Sequence, residues 1–277
     1  MHYFLFFKRK MLKKNVYISR RKIMEELTLY FSLKYRGDFQ SIYNALLNKE
    51  RVDEQLKTQL KKQLKCQYTT IFSDDYPSML KNINCPPFVL YYYGDLSLVK
   101  SHTIAVVGMR EPSPYGQEVT KYLVEGLVRK GYTIVSGMAK GIDGVAHRSA
   151  INAKGKTIAV LGTGIEYCYP YVHKDLYEEL KQNQLIMSEH PFDTAPKKCL
   201  FPFRNRIVAG LSHNVLITEA KQKSGTMITA GYALEQGKDV FAVPSRIYDY
   251  DGCNSLIQQG AKMVLDINDI IEDEDFG

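Results

Sequence analysis

The chain has 277 residues, 45% of them hydrophobic, enough for one large domain and a small one around real cores. Its net charge of +7 comes from the N-terminal part: residues 1–100 hold 18 Lys/Arg against 9 Asp/Glu, and residues 101–277 hold 19 against 21, a balance that favours polyanionic partners without defining a site. Five scattered cysteines, never in C-x-x-C spacing, and the lack of any long apolar run argue against a disulfide framework, a zinc site and a membrane span, so a cytoplasmic protein with no metal is expected.

Residues 1–24 carry eight Lys/Arg and no acid and read as a basic N-terminal extension. Residues 25–67 have helical spacing (Leu27, Phe31, Tyr35; Ile42, Leu46; Leu56, Leu60, Leu64) broken at Gly37, which predicts a small helical domain. Residues 68–277 are expected to form a connector followed by the main domain. The connector holds Tyr76-Pro77, Pro86-Pro87 and the β-rich run Phe88–Tyr93. From Ser101 onward short apolar runs (Ile104–Val107, Tyr132–Val135, Thr157–Leu161, Leu185–Met187, Val215–Ile217, Val240–Val243, Met263–Leu265) recur. Helical segments such as Tyr115–Arg129, Asp143–Asn152, Tyr171–Gln182 and Thr226–Glu235 lie between most of them. That alternation predicts an α/β fold, a doubly wound and mainly parallel sheet covered on both faces.

Three predicted strands run into glycine, at Gly108, Gly137 and Gly162, and ligands of such sheets bind outside the carboxyl ends of the strands. Arg110 follows the first turn. The second turn supplies Gly137, Lys140 and Gly141, with Asp143 as a plausible helix N-cap. Ser224, Gly225 and Thr226 open a later helix, another phosphate-type cradle flanked by Lys221 and Lys223. The stretch KKCLFPFRNRIVAGLS puts Arg204, Asn205 and Arg206 at the mouth of an apolar helix (Ile207–Leu211), with Phe201 and Phe203 close by. Forked guanidiniums beside a helix N-terminus suit an anion, and the adjacent rings suit something flat, so a nucleotide or a single nucleic-acid strand is expected. His147 reads as packed against the sheet and Glu166 as a partner of a neighbouring loop. No Walker A lysine, metal cluster or catalytic triad order is present, and the first turn lacks the G-x-G-x-x-G spacing.

Taken together, YPSMLKNINCPPFVLYYYG, IAVVGMREPSPYG, IVSGMAKGIDGVAH, TIAVLGTGIEYCYP, SEHPF, FPFRNRIVAGLS, EAKQKSGTMITAGYALEQGKDVFAVP and GCNSLIQQGAK resemble the bacterial DNA-processing protein A (DprA/Smf) family over about Tyr76–Leu265. The resemblance implies an extended Rossmann-like domain after a sterile-alpha-motif-like module. It also implies single-stranded DNA binding, a homodimer, loading of a RecA-type recombinase during natural transformation, and no catalysis or cofactor. By the same resemblance, Lys198 would hold a phosphate, Phe201 would stack a base, and Arg110 and Ser224-Gly225 would complete the pocket. Leu234, Asn254, Ile257 and Met263 would form the dimer face. Met109 stands where the family usually has Ser, Tyr171 where some members have Lys, and the winged-helix tail of many members is expected to be absent. The alternative is a Rossmann-like enzyme cleaving the N-glycosidic bond of a nucleoside monophosphate. Such enzymes carry a Glu in a Pro-Gly-Gly-x-Gly-Thr-x-x-Glu loop, and the corresponding turn here, Lys223–Thr229, has none.

Overall fold

The structure, a computed structural model, describes residues 14–249 and 252–275. Of the basic extension, residues 1–13 lie outside the described residues, and from Lys14 the chain is helical instead of an arm, because α1 runs Lys14–Lys34. The helix α2 spans Phe39–Leu47 and α3 Glu54–Gln63. Both start on an aspartate: Asp38 accepts from the Ser41 N–H, and Asp53 from those of Gln55 and Leu56, satisfying donors that the first turn leaves orphaned. The break comes at Gly37, which takes φ +78 and approaches the backbone of Glu189 closely enough that a Cβ would meet its carbonyl. The helices bury their own cluster of Tyr30, Phe31, Ile42 and Ala45. They are also pinned to the sheet, since the Tyr91 hydroxyl donates to Ser32 Oγ at 2.8 Å and Phe39 stacks on Phe88.

Among the described residues nine strands form one sheet: β1 Gln67–Thr70, β2 Val89–Gly94, β3 Thr103–Val107, β4 Thr133–Ser136, β5 Lys156–Gly164, β6 Leu185–His190, β7 Asn214–Ile217, β8 Val240–Ala242 and β9 Lys262–Met263. Their spatial order is β1-β2-β6-β5-β4-β3-β7-β8-β9. Pairings from β6 to β9 are parallel, whereas β1 and β2 are added antiparallel, so the expected connector contributes two strands. The intervening helices are α4 Pro114–Arg129, α5 Ile142–Asn152, α6 Lys174–Asn183, α7 Leu200–Gly210, α8 Gly225–Glu235, α9 Gly252–Gln258 and α10 Asn268–Asp275. The residues expected as one helix from Tyr171 divide into a short 3-10 turn, Tyr171–His173, and α6. The apolar strands are fully buried and cores lie on both faces, one around Ile104, Val124, Leu127 and Ile134, another around Val107, Val160, Ile207 and Val215. This is the mainly parallel, doubly wound sheet of the Rossmann-like class that the strand pattern predicts. From β3 the chain builds outward through β4, β5 and β6, then returns to lay β7 on the other side of β3. The reversal leaves a crevice between the turns after β3 and β7, the position where such sheets bind ligands.

Candidate nucleic-acid interface

Four turns meet at the carboxyl edge of the parallel strands, and backbone contacts lock them together. In the turn after β3 the Met109 carbonyl accepts from Ile142 N–H at 3.0 Å. Gly141 takes φ +76 there, and a Cβ on it would lie 2.2 Å from that carbonyl, so the close approach of the two turns needs glycine. Met109 is buried, and Arg110 and Glu111 are the exposed side chains of this turn. Opposite it, Thr226 Oγ1 donates to the Gly108 carbonyl at 2.9 Å, and Glu219 accepts from the Ser113 N–H at 2.9 Å. The crevice is thereby closed at its base.

The turn after β4 differs from its expected form. Asp143 is not the cap of α5, a position held by Gly141. Its buried carboxylate instead accepts the N–H groups of Gly137 and Ala139 at 3.1 and 3.2 Å, fixing the loop that presents Lys140 to solvent. Burial raises the pKa of this carboxylate, and the nearby Arg204 charge together with its hydrogen bonds works against that rise.

The arginine pair requires a correction. The helix opens at Leu200, earlier than expected, so Arg204 and Arg206 are inside it and only 5% and 1% exposed. Arg204 donates to the carbonyls of Gly137 and Val160, and its Nε to Asn205 Oδ1, so it ties α7 to the loop after β4 and to the adjacent strand β5. Burial lowers its pKa to about 10, with the charge of Arg110 adding to the fall. Arg206 forms a two-pronged ion pair with Glu189 (2.9 and 2.6 Å), donates to the Cys85 carbonyl, and lies 3.6 Å from the Phe203 ring centroid. Neither guanidinium faces a ligand. They brace the site, and Asn205, whose amide donates to the Gly225 carbonyl at 3.2 Å, extends that bracing to α8.

Phe201 and Lys198 lie ahead of these arginines, on the outside. The strand expected to end at Gly162 continues to Gly164, so Gly162 lies inside β5, and the Phe201 ring covers it so closely that a Cβ there would meet the ring at 2.8 Å. The Arg110 guanidinium lies over the same ring at 5.6 Å from its centroid, and Tyr169 packs beside it at 5.4 Å. Lys198 is exposed in the turn entering α7. At the start of α8, Ser224 Oγ donates back to the Lys221 carbonyl and makes no cap bond to the helix, while a Cβ on Gly225 would meet open space. That first turn therefore has no side-chain cap, and Gly225 is exposed. Thr226, by contrast, is buried on Gly108.

Other carboxylates and imidazoles near this edge have internal partners. Glu166 accepts the Tyr93 hydroxyl and lies 3.9 Å from Lys181. His147 is fully buried against Thr157 at 2.7 Å. Among the described residues, no group of three or more His, Cys, Asp and Glu is arranged to hold a metal ion, and no helix is long and apolar enough to cross a membrane. Sequence reasoning missed Glu189 and Asp143 as internal anchors and Tyr169 as part of the ring cluster. The every-second-residue pattern Tyr167, Tyr169, Tyr171 is the signal that was available for the last.

Of the residues assigned to a dimer face, Leu234 is 61% and Met263 48% exposed, and β9 forms the sheet edge. Ile257 is half-buried against the core, and Asn254 is engaged with the Ser245 backbone, accepting at 3.0 Å and donating at 2.9 Å.

With this geometry in hand, comparison with known proteins is specific. The DNA processing protein DprA of Bacillus subtilis is 46% identical over 206 residues, covering 73% of this chain and 69% of that protein. The protein Smf of Synechocystis is 43% identical over 211 residues, covering 74% of this chain and 53%, about half, of its own length. The crystal structure of DNA processing protein A from Streptococcus pneumoniae superposes with a TM-score of 0.74 at 35% identity, covering 95% of this chain and 98% of that one. The DNA processing protein A of Helicobacter pylori, a structure reported for its single-stranded DNA binding mode, gives 0.69 at 34% identity and covers 75% and 95%. The model of the DNA recombination-mediator protein A family matches residues 67–275, from β1 to the end of α10. The chain belongs to that family.

Proposed function

We propose that the chain binds single-stranded DNA along the carboxyl edge of its sheet, without catalysis. The observation that carries the reading is the Arg110–Phe201 pair, a cation 5.6 Å from the centroid of a half-buried ring, brought together from the turn after β3 and the first turn of α7. A single strand offers a phosphate for the cation and an unpaired base for the ring, and a protein that uses both binds with little sequence preference. Lys198, Lys140 and the open first turn of α8 supply further phosphate contacts. The Helicobacter pylori relative, reported for a single-stranded DNA binding mode, supports the same assignment. Fluorescence anisotropy with labelled single-stranded and duplex oligonucleotides tests it. The expected result is preference for the single strand, lost in Lys198→Ala and Phe201→Ala proteins that remain folded. Equal affinity of these variants and the parent removes the reading.

By family resemblance the bound strand is passed to a RecA-type recombinase in the cytoplasm during transformation or recombination, and the helices of residues 25–67 act as an accessory domain to the α/β domain of residues 68–277. The protein acts as a homodimer through Leu234 on α8 and Met263 in the edge strand β9, with Asn254 and Ile257 of α9 as the further residues of that face. A self-complementary apolar patch gives a two-fold dimer, and two pockets on one particle add avidity for long strands. Sedimentation of Leu234→Glu is expected to give a folded monomer with weakened binding to long strands only. A dimer unchanged by this substitution removes the assignment.

A further inference from the structure

We propose that the turn between α1 and α2, residues 36–39, is a clamp that grips the segment bearing Lys198 from both of its ends, and that Phe39 is thereby a positioning residue for strand binding. This rests on the single-strand reading above and deepens it, because it gives the N-terminal helices a part in the same site. The segment is residues 194–200, which join β6 to α7 without regular secondary structure and leave Ala195, Lys197, Lys198 and Cys199 exposed. A stretch of this kind takes its order from its ends.

At the near end the His190 Nδ1–H donates to the Arg36 carbonyl at 3.0 Å, and Gly37 lies so close that a Cβ would meet both the Glu189 carbonyl and His190 Nδ1. The Arg36 side chain reaches Asp193 at 3.1 Å, and its guanidinium lies 5.8 Å from the centroid of the Phe192 ring. This end is shared with β5, since the Thr194 carbonyl accepts from the Gly164 N–H at 2.8 Å. At the far end the Phe39 ring meets Phe203 edge-on, at 6.2 Å and 66°, one turn inside α7. Phe88 backs the Phe39 ring from the sheet side at 5.0 Å and 24°. Arg36 and Phe39, from one turn, therefore hold the chain before and after Lys198. Arg36 is paired with Asp193 and the Phe39 ring is half-buried between Phe88 and Phe203, so the part these residues play is positional. A segment already ordered loses less conformational freedom when a strand settles on Lys198 and Phe201, so the clamp strengthens binding without touching DNA.

Phe39→Ala removes the far grip and leaves every DNA-facing group in place. It is expected to weaken single-strand binding about fivefold, within the range that remote couplings take. In the unbound protein, hydrogen exchange of residues 194–200 and tryptic cleavage after Lys197 and Lys198 are expected to quicken. Phe39→Tyr, which keeps the ring, is expected to restore parental affinity and protection. In a Lys198→Ala background the loss caused by Phe39→Ala is expected to shrink, because Phe39 acts through the segment that bears Lys198. Should Phe39→Ala fail to fold, Phe39→Leu keeps the apolar bulk, loses the ring contacts and carries the same expected signs. Additive losses with exchange of residues 194–200 at the parental rate would mean that Phe39 only packs, and overturn the clamp. Parental affinity in the folded Phe39 variant beside weak binding by Lys198→Ala overturns the clamp and leaves the pocket standing. Parental affinity in both removes the single-strand reading and the clamp with it.

Discussion

Arg110 and Arg204 lie close enough that the charge of one depresses the pKa of the other, yet Arg110 is exposed over an aromatic ring and Arg204 is 5% exposed with carbonyl partners. The same division runs along the whole sheet edge. An inner layer (Arg204, Arg206, Asp143, Glu189, His147) is buried and internally bonded, and an outer layer (Arg110, Lys140, Lys198, Phe201) faces solvent or is half-buried. Arginine occurs in both layers, so for that residue the role is decided by burial. A buried guanidinium needs every donor engaged and so becomes a brace, while an exposed one keeps donors for a ligand. Bracing also has a functional consequence. Because Arg204 holds the carbonyls of Gly137 and Val160, the loop bearing Lys140 and the neighbouring strand β5 are held in one arrangement before any strand binds.

The sharpest way to break this division is to remove one partner of the inner ion pair. Glu189→Ala leaves Arg206 charged and unpaired in the core, a change that costs about 3–5 kcal/mol. Urea unfolding is expected to show that loss, and the double replacement Glu189→Leu with Arg206→Met is expected to recover most of it. A Glu189→Ala protein as stable as the parent would place Arg206 in the outer, ligand-facing layer.

Acid should find the inner layer next. Thr157 Oγ1 donates to the Ile134 carbonyl at 2.8 Å, so at its 2.7 Å contact with His147 it accepts from Nδ1–H. His147 Nε2 is then bare and without a partner. Burial first, then the positive charges of His173, Arg204 and Arg148, lower its pKa from 6.5 to about 3. Below the ordinary value the unfolded chain takes up a proton that the folded chain refuses. Stability is therefore full above about pH 6.5 and falls as pH drops toward 3, by up to about 1.4 kcal/mol per unit. Stability measured across that window should fall less steeply in His147→Gln; an identical slope would show that other groups carry the acid sensitivity.

In the outer layer the expected effect moves from folding to binding. Phe201→Ala removes a stacking surface worth roughly 1–3 kcal/mol and should lower affinity without changing the salt dependence, since no charge is lost. Anisotropy titrations over a salt series read both quantities. A variant that melts much earlier but binds normally while folded would move Phe201 to the inner layer.

The sheet was legible because its strands are continuous apolar runs, and the glycine turns because strands such as Thr103–Val107 end directly on them. The layer assignment of the arginines was not legible. Phe201-Pro202-Phe203 reads as a helix boundary, which placed Arg204 and Arg206 at an exposed mouth. Pro202 sits instead in the first turn of α7, where its missing N–H has no intrahelical partner to lose, so the helix starts early and carries both arginines inside. Their acceptors come from far along the chain, Gly137, Val160 and Glu189, and no local pattern announces such pairings. The β-rich run Phe88–Tyr93 announced β2, whereas β1 was hidden because a short antiparallel edge strand lacks the apolar run–helix rhythm of the parallel set.

The gentlest probe of the division is Lys198→Ala. Lys198 is exposed ahead of α7, and a surface substitution of this kind changes stability by no more than about 0.5 kcal/mol. If Lys198 meets a phosphate, its loss releases one fewer counterion on binding. The plot of log affinity against log salt should then flatten by about 0.7 for a single strand, whatever the base sequence. The same substitution tests whether the two layers are energetically separate. The outer lysine should alter the salt slope with the melting temperature unchanged, whereas Glu189→Ala should lower the melting temperature with the salt slope unchanged in the protein that remains folded. A Lys198→Ala protein that keeps the parental slope would put the phosphate track elsewhere on the edge, with Lys140 and the first turn of α8 as the remaining cationic and N–H donors.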